Sequence, residues 1–308
     1  RMLRLGLDAK YADVMERILY NGVLSGISLS GDRFFYPNPL ASFGQHERVS
    51  WFGCACCPPN VARILTSVPG YFYAASADRV YVNLFAQGTG EMKVSGTDLE
   101  LVQTTEYPWK GDIKIEVKPA READFTLAVR IPGWVCDHPV PTDLYTYMEP
   151  GGEPWPTLKV NGQDVKLPGG RLDKGYALIT RTWKAGDVVE LSLPMPVRRV
   201  VAHEAVEADR GRVAIERGPL VYCAEWTDNG GRVSNLLLPD GAALAAEARP
   251  DLLGGVVVIT GEAEAVSEKA GKIVVEKTPV TLIPYYAWAN RGKGEMAVWL
   301  AREPGKAR

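Results

Sequence analysis

Three of the five cysteines in this 308-residue chain crowd into Cys54-Ala55-Cys56-Cys57, whereas Cys136 and Cys223 stand alone. A thiol reacts as its thiolate, and the unpaired backbone N–H groups of a helix N-terminus favour that anion. The prolines of Pro58-Pro59 suit a first helical turn, so the spacing predicts a helix starting there, with Cys56 and Cys57 at its N-terminus. Thiols so placed can serve as nucleophile or metal ligand. Cys-x-Cys-Cys is not the usual Cys-x₂₋₄-Cys zinc spacing, however, so any metal must draw ligands from elsewhere. The bland alternative is a group of buried, inert thiols at a tight helix entry. An odd number of cysteines, three of them neighbours, argues against a disulfide framework and for a reducing compartment, with a cytoplasmic location expected, or for thiolates held by a metal.

Other residues offer less. His46, His138 and His203 are scattered without the i, i+4 spacing of a helical metal pair and read as loop histidines. Asp32, Glu47, Glu204 and Glu207 read as solvated loop charges, because a catalytic carboxylate pair is defined by its separation in space, which the sequence does not give. Trp51, Trp109, Trp134, Trp155, Trp183 and Trp288 have faces that can stack on sugar rings, but tryptophans in β-proteins more often fill cores. Trp51, beside the cysteines, is the one expected to line a site. Gly151-Gly152 and Gly169-Gly170 lack the strand–helix context of a phosphate loop and read as turns, so no nucleotide cofactor is implied.

The elements that must position the cysteines change character along the chain. Tyr11, Val14, Met15, Ile18 and Leu19 recur at helical spacing and predict a first helix over 11–24, weakened by Gly22 and Gly26. An irregular stretch over 28–50 follows, holding Phe34-Phe35-Tyr36-Pro37-Asn38-Pro39. The helix after the cysteines is expected to turn Val61, Ile64, Leu65 and Val68 inward until Pro69-Gly70 stops it. From about residue 79, alternating runs predict antiparallel strands at 80–85, 113–117, 125–131, 158–160, 176–180, 188–193, 213–216, 256–260, 273–276 and 297–300, with Asn161-Gly162 as a hairpin turn. That many strands imply two β-sandwich units with a boundary near 194–210. Two helices cannot bury their apolar faces alone, so they read as the tail of a larger helical domain. Their apolar surface is expected to be covered by another chain.

With 35 Lys+Arg against 37 Asp+Glu the formal charge is −2, which disfavours nucleic acid and anionic membranes as partners. No apolar run approaches the roughly 18–20 residues of a membrane span, and the N-terminal residues carry no signal-peptide pattern.

The string Trp51-Phe52-Gly53-Cys54-Ala55-Cys56-Cys57-Pro58-Pro59-Asn60, preceded by Phe34-Phe35-Tyr36-Pro37-Asn38-Pro39-Leu40, resembles glycoside hydrolase family 127, the β-L-arabinofuranosidases. Glu216-Arg217-Gly218-Pro219-Leu220-Val221-Tyr222 and Pro284-Tyr285-Tyr286-Ala287-Trp288-Ala289-Asn290-Arg291 look like that family's C-terminal region. The resemblance covers essentially the whole chain. It implies a mostly β protein with an N-terminal helical segment: residues 1–78 as the remnant of an (α/α)6 catalytic barrel, then β-sandwiches over 79–200 and 201–308. It further implies a retaining glycosidase with Cys56 as nucleophile, Cys56 and Cys57 as ligands of a zinc cofactor, Tyr36 and Trp51 against the sugar, and a terminal L-arabinofuranose or related sugar as substrate. The family's general-acid glutamate and its Glu-x-Cys pair of zinc ligands lie upstream of the segment that Arg1-Met2-Leu3-Arg4 resembles. This chain is therefore expected to be a C-terminal portion, completed by the missing barrel half or a homo-oligomer partner. The alternative is a non-catalytic β-sandwich fragment that binds carbohydrate or mediates oligomerisation.

Overall fold

The computed structural model describes residues 2–149, 154–167 and 172–307; the turns expected at Gly151-Gly152 and Gly169-Gly170 lie outside them. The fold is mostly β, with helix confined largely to the first 71 residues. The chain divides into two compact units interleaved in sequence, one formed by Arg1–Glu16, Ile64–Pro141 and Gly151–Met195, the other by Arg17–Arg63, Thr142–Pro150 and Pro196–Arg308.

In the first unit, a four-stranded sheet runs in the order Tyr176–Trp183, Ala123–Arg130, Arg79–Val82, Tyr73–Ala75. A six-stranded sheet runs Gln163–Asp164, Thr157–Val160, Asp187–Ser192, Asp112–Pro119, Thr97–Thr105, Gly88–Val94. Period-2 alternation places Ile113, Ile115 and Val117 on one face, and all three are buried, as are Leu99 and Leu101 on the neighbouring strand. The expected hairpin is present. Thr157–Val160 pairs antiparallel with Gln163–Asp164 across Asn161 (φ 51°) and Gly162 (φ 76°), the two consecutive positive φ values that a two-residue turn of this hand requires.

Helix α1 spans Met2–Gly6 and α2 spans Lys10–Arg17. Hydrophobic spacing misplaces the buried face of α2. Val14 and Ile18 are 39% and 52% exposed, while Ala12 and Glu16 are buried. The reason is a charge. Arg130, fully buried on its strand, donates through Nη2 to Glu16 (2.5 Å) and through Nη1 to Asp13 (2.6 Å), and Tyr107 Oη donates to Glu16 (2.7 Å). The polar face is thus the one buried among the described residues, and Val14 and Ile18 of the apolar face are exposed. The expected 11–24 helix also stops earlier: after Arg17 its hydrogen bonding widens into a π turn over Ile18–Val23 and tightens to a 3₁₀ turn at Leu24–Gly26.

In the second unit, one eleven-stranded sheet contains the long hairpin Val256–Lys269 with Lys272–Pro284. Arg212–Arg217 pairs with Val197–Ala202 on one side and Leu220–Glu225 on the other. The apolar run expected as one strand at 297–300 is interrupted: Glu295–Ala297 and Leu300–Ala301 are separate strands pairing with different partners. The irregular stretch is fastened to this sheet where Ala41–Phe43 pairs with Glu295–Ala297. Closer to the cysteines, Phe34 bridges to both Ile27 and Val49, so the chain carrying Tyr36 is pinned on two sides.

Candidate active site

Helix α3 spans Cys57–Ser67, starting one residue before Pro58-Pro59. Cys56 is therefore the residue preceding the helix and Cys57 its first residue. Neither proline breaks a helical hydrogen bond, because the first-turn N–H groups have no intrahelical acceptor. The Cys56 carbonyl accepts the Asn60 N–H (3.4 Å) and the Asn60 side-chain amide (2.8 Å), and Arg63 holds Asn60 Oδ1 (2.9 Å). The inward turn expected of Val61, Ile64, Leu65 and Val68 is not found. None is buried and Leu65 is 40% exposed, since no second helical layer stands against this face among the described residues.

Sγ of Cys56 lies 3.7 Å from Sγ of Cys57. The Cys56 N–H donates to Cys54 O (3.2 Å) and to the Tyr36 hydroxyl (3.4 Å), and the Tyr36 ring stacks on Phe52 with centroids 3.8 Å apart. Trp51 is 58% exposed, its ring edge-on to Phe34 at 5.8 Å. Tyr36, Cys56 and Cys57 are thus brought together, while the contact described for Trp51 is with the neighbouring aromatic.

Exposure separates the five thiols, all of them free. Cys54 and Cys56 are exposed and Cys57 is half-buried. Burial pushes Cys136 up to about 11 and Cys223 well above the ordinary thiol range, so these two are the inert kind. The cluster does not match the bland alternative of buried thiols. Cys57, however, is shifted upward, by burial first and then by the neighbouring Cys56, so the helix N-terminus alone does not activate it. Tyr36 is raised by the same causes in the same order, with its acceptance of the Cys56 N–H opposing them.

Two thiolates on one tetrahedral zinc, each about 2.3 Å from the metal, stand about 3.8 Å apart. The Cys56–Cys57 separation of 3.7 Å matches that edge. Among the described residues, no group of three or more His, Cys, Asp or Glu side chains could hold a metal. The pair has the spacing of two of zinc's four ligands, and no third ligand stands with it among the described residues. The histidines do not supply it: His203 Nδ1 accepts the Ala205 N–H (3.1 Å), His138 is exposed, and His46 packs against Trp288. Trp183 and Trp288 are core residues at 0% and 1% exposure. Sequence reading missed Phe52 and Asn60, whose stacking and carbonyl contacts carry no motif of their own.

A β-rich protein with a helical N-terminal segment, bearing paired thiols at a helix entry beside a tyrosine, has the makings of a thiol-dependent or metal-assisted enzyme. Family models narrow the class. Residues 1–70 match the catalytic domain and 79–195 the middle domain of the GH127 beta-L-arabinofuranosidases, and 197–301 match the glycoside hydrolase family 127 C-terminal domain. The chain belongs to glycoside hydrolase family 127. It is 37% identical to a non-reducing end beta-L-arabinofuranosidase of Bifidobacterium longum subsp. longum, over 98% of this chain and 47% of the relative. Among solved structures it is similar to a GH127 beta-arabinofuranosidase (TM-score 0.95, 49% identity, 100% of this chain and 48% of the other). It is also similar to a GH127 beta-L-arabinofuranosidase from Geobacillus stearothermophilus T6 (TM-score 0.87, 43% identity, 98% and 47%). The chain spans about half the length of the relatives it matches.

Proposed function

We propose that this chain is the nucleophile-bearing part of a retaining glycosidase that releases terminal β-L-arabinofuranose or a closely related sugar. The observation that carries the reading is the adjacent thiol pair at the entry of α3, with the Tyr36 hydroxyl against the Cys56 backbone. In the first step the Cys56 thiolate attacks the anomeric carbon. A C–S bond forms as the glycosidic C–O bond breaks, and the departing oxygen takes a proton from a general acid. In the second step water attacks the same carbon, the C–S bond breaks, and the proton returns to the acid. Two inversions give net retention. Tyr36 holds the Cys56 backbone and presents a ring edge to the sugar, and exposed Trp51 offers a stacking face.

Cys56 and Cys57 would hold zinc, which when bound keeps thiols ionised at neutral pH. The remaining ligands and the general acid would come from polypeptide beyond these 308 residues, in keeping with a chain spanning about half of its relatives and a donor set of two thiols. That polypeptide would complete an (α/α)6 barrel of which residues 1–78 are a part, followed by β-domains over 79–200 and 201–308. It would also cover Leu5 and Ile18, which are 81% and 52% exposed. Free thiols at all five positions suit a reducing, cytoplasmic location. No helix among the described residues is long and apolar enough to cross a membrane.

The test is hydrolysis of p-nitrophenyl β-L-arabinofuranoside by the full-length polypeptide containing this chain, with zinc measured on the same sample. Turnover abolished by Cys56→Ala, with one pentosyl unit trapped on the Cys56 peptide, supports the reading. Turnover that survives Cys56→Ala refutes it. A chain that bound sugar with indifference to Cys56 would instead be the carbohydrate-binding fragment.

A further inference from the structure

Arg48 is 3% exposed, and its described hydrogen bonds all run to backbone carbonyls. Nη1 donates to Ser25 O (2.8 Å), while Nη2 donates to Trp288 O (3.1 Å) and Tyr286 O (3.4 Å). Burying a guanidinium is costly unless it is stacked and hydrogen-bonded, and burial pulls Arg48 down to about 10, against the opposing pull of Tyr285 and Glu225. It remains a cation at neutral pH. Its plane lies over the Phe35 ring at 4.4 Å, and Phe35 stacks on Trp288 with centroids 5.1 Å apart and planes 19° apart. Phe35 is thus held by a cation and an indole together, a clamp of two partners each favourable for an aromatic ring.

The clamp acts one residue from the site. The Phe35 N–H donates to Gly26 O (3.1 Å), and Phe34 exchanges backbone hydrogen bonds with Val49, the residue after Arg48 (2.8 and 3.1 Å). Phe35, 5% exposed, packs on Trp288 and Arg48, while the next residue, Tyr36, 38% exposed at a bend, packs on Phe52 and accepts the Cys56 N–H. The three carbonyls that Arg48 gathers come from the 3₁₀ turn Leu24–Gly26 and from the 3₁₀ turn Tyr285–Ala287 with its C-cap Trp288, which follows the strand Lys272–Pro284.

We infer that Arg48 is a positioning residue: by clamping Phe35 against Trp288 it sets the direction of Tyr36 and so the Tyr36 hydroxyl on the Cys56 backbone. The consequence for catalysis rests on the proposed glycosidase reading; the consequence for the Cys56 backbone does not. Lysine cannot substitute, because a point charge cannot spread over a ring and reach three carbonyls as a planar fork does.

The experiment uses the full-length polypeptide and the variants Arg48→Lys, Tyr36→Phe and their combination, with Phe35→Leu as a second way to open the clamp. Hydrogen exchange at the Cys56 amide, read by mass spectrometry on the peptide ending before Pro58, reports the bond to Tyr36 against the constant background of the bond to Cys54 O, which every variant keeps. Each single variant is expected to speed that exchange by up to about fivefold, the net worth of one neutral hydrogen bond, and the double variant no further. The kcat/KM for the arabinofuranoside is expected to follow the same non-additive pattern, although Arg48→Lys alone lowers Tm. Unchanged Cys56 exchange in both Arg48→Lys and Phe35→Leu overturns the inference, and so do effects that multiply in the double variant. If exchange responds as expected while the unsubstituted protein hydrolyses no arabinofuranoside, positioning stands and the glycosidase reading falls.

Discussion

Replacing Arg130 by methionine isolates the interaction that decides which face of α2 is buried. The Arg130 side chain is 0% exposed, and its partners Glu16 and Asp13 are 2% and 19% exposed. Nε also donates to Asn83 O at 2.5 Å. Methionine fills much of the volume but leaves Glu16 with the Tyr107 hydroxyl as its remaining described partner, and the Asn83 carbonyl loses a donor. Removing one member of a buried ion pair costs about 3–5 kcal/mol, because the orphaned charge is not rehydrated. Tyr107→Phe, which deletes one hydrogen bond to a charged group, should cost about 1.5–3 kcal/mol. Lys110→Ala breaks a pair exposed at 63% and 66%, so it should cost under about 1 kcal/mol. Urea titration followed by the emission of Trp183, buried in the same unit, ranks the three variants. Adding Glu16→Gln to Arg130→Met should restore part of the loss by removing the orphaned charge. The reasoning is refuted if Arg130→Met costs no more than Lys110→Ala, or if neutralising Glu16 deepens the loss.

Asp187 gives a pH dependence. Burial pushes its carboxyl up, but the Asn161 amide (2.8 Å), the Lys184 N–H (3.0 Å) and the charges of Arg181 and Lys184 outweigh it, and the net shift is downward. A folded value below the unfolded one means stability present above the unfolded value, about 4, and lost as pH falls through the folded one. Asp187→Asn should therefore cost about 1.5–3 kcal/mol at pH 7, a gap that closes in acid denaturation curves below about pH 4. Asn21, 8% exposed, accepts the Val221 N–H (2.8 Å) and donates to Pro219 O and Arg17 O (both 2.9 Å), so Asn21→Leu should cost about 2–4 kcal/mol by calorimetry. Cys57→Ser in the full-length polypeptide should lower zinc content by elemental analysis well below that of the parent, whereas Cys136→Ser should leave it unchanged.

Local signals in the sequence were sufficient where local physics decides the structure. Pro58-Pro59 places the α3 entry to within a residue, and Asn161-Gly162 makes the expected turn because both residues tolerate positive φ. Alternation at Ile113, Ile115 and Val117 reports a buried sheet face directly. The failures occur where a distant partner decides. Glu16 carries no local signal of burial, and it is Arg130, 114 residues away, that holds it in the interior. The apolar rows of α2 and α3 read as inward because hydrophobic spacing records that a face is to be covered, not by what. Arg48 carries no motif either, since its acceptors are backbone carbonyls that any residue type can present.

The distribution of order bears on how such a site works. Two exposed, adjacent thiols are chemically versatile, and what makes them specific is the fixed backbone behind them. The Cys56 carbonyl is held by Asn60 and its N–H is shared between Cys54 O and the Tyr36 hydroxyl, so both polar groups of that residue are committed. Tyr36 is held by a segment bridged at Phe34 and clamped at Phe35, and the sheet that anchors the segment lies up to about 250 residues away in sequence. A large β-rich region is therefore needed even though it contributes no side chain to the thiol pair: it makes the approach to Cys56 rigid. On the proposed reading, substitutions at Arg48 or Phe35 act on Cys56 through backbone geometry. They should alter rate in proportion to their effect on the Cys56 N–H, not in proportion to overall stability.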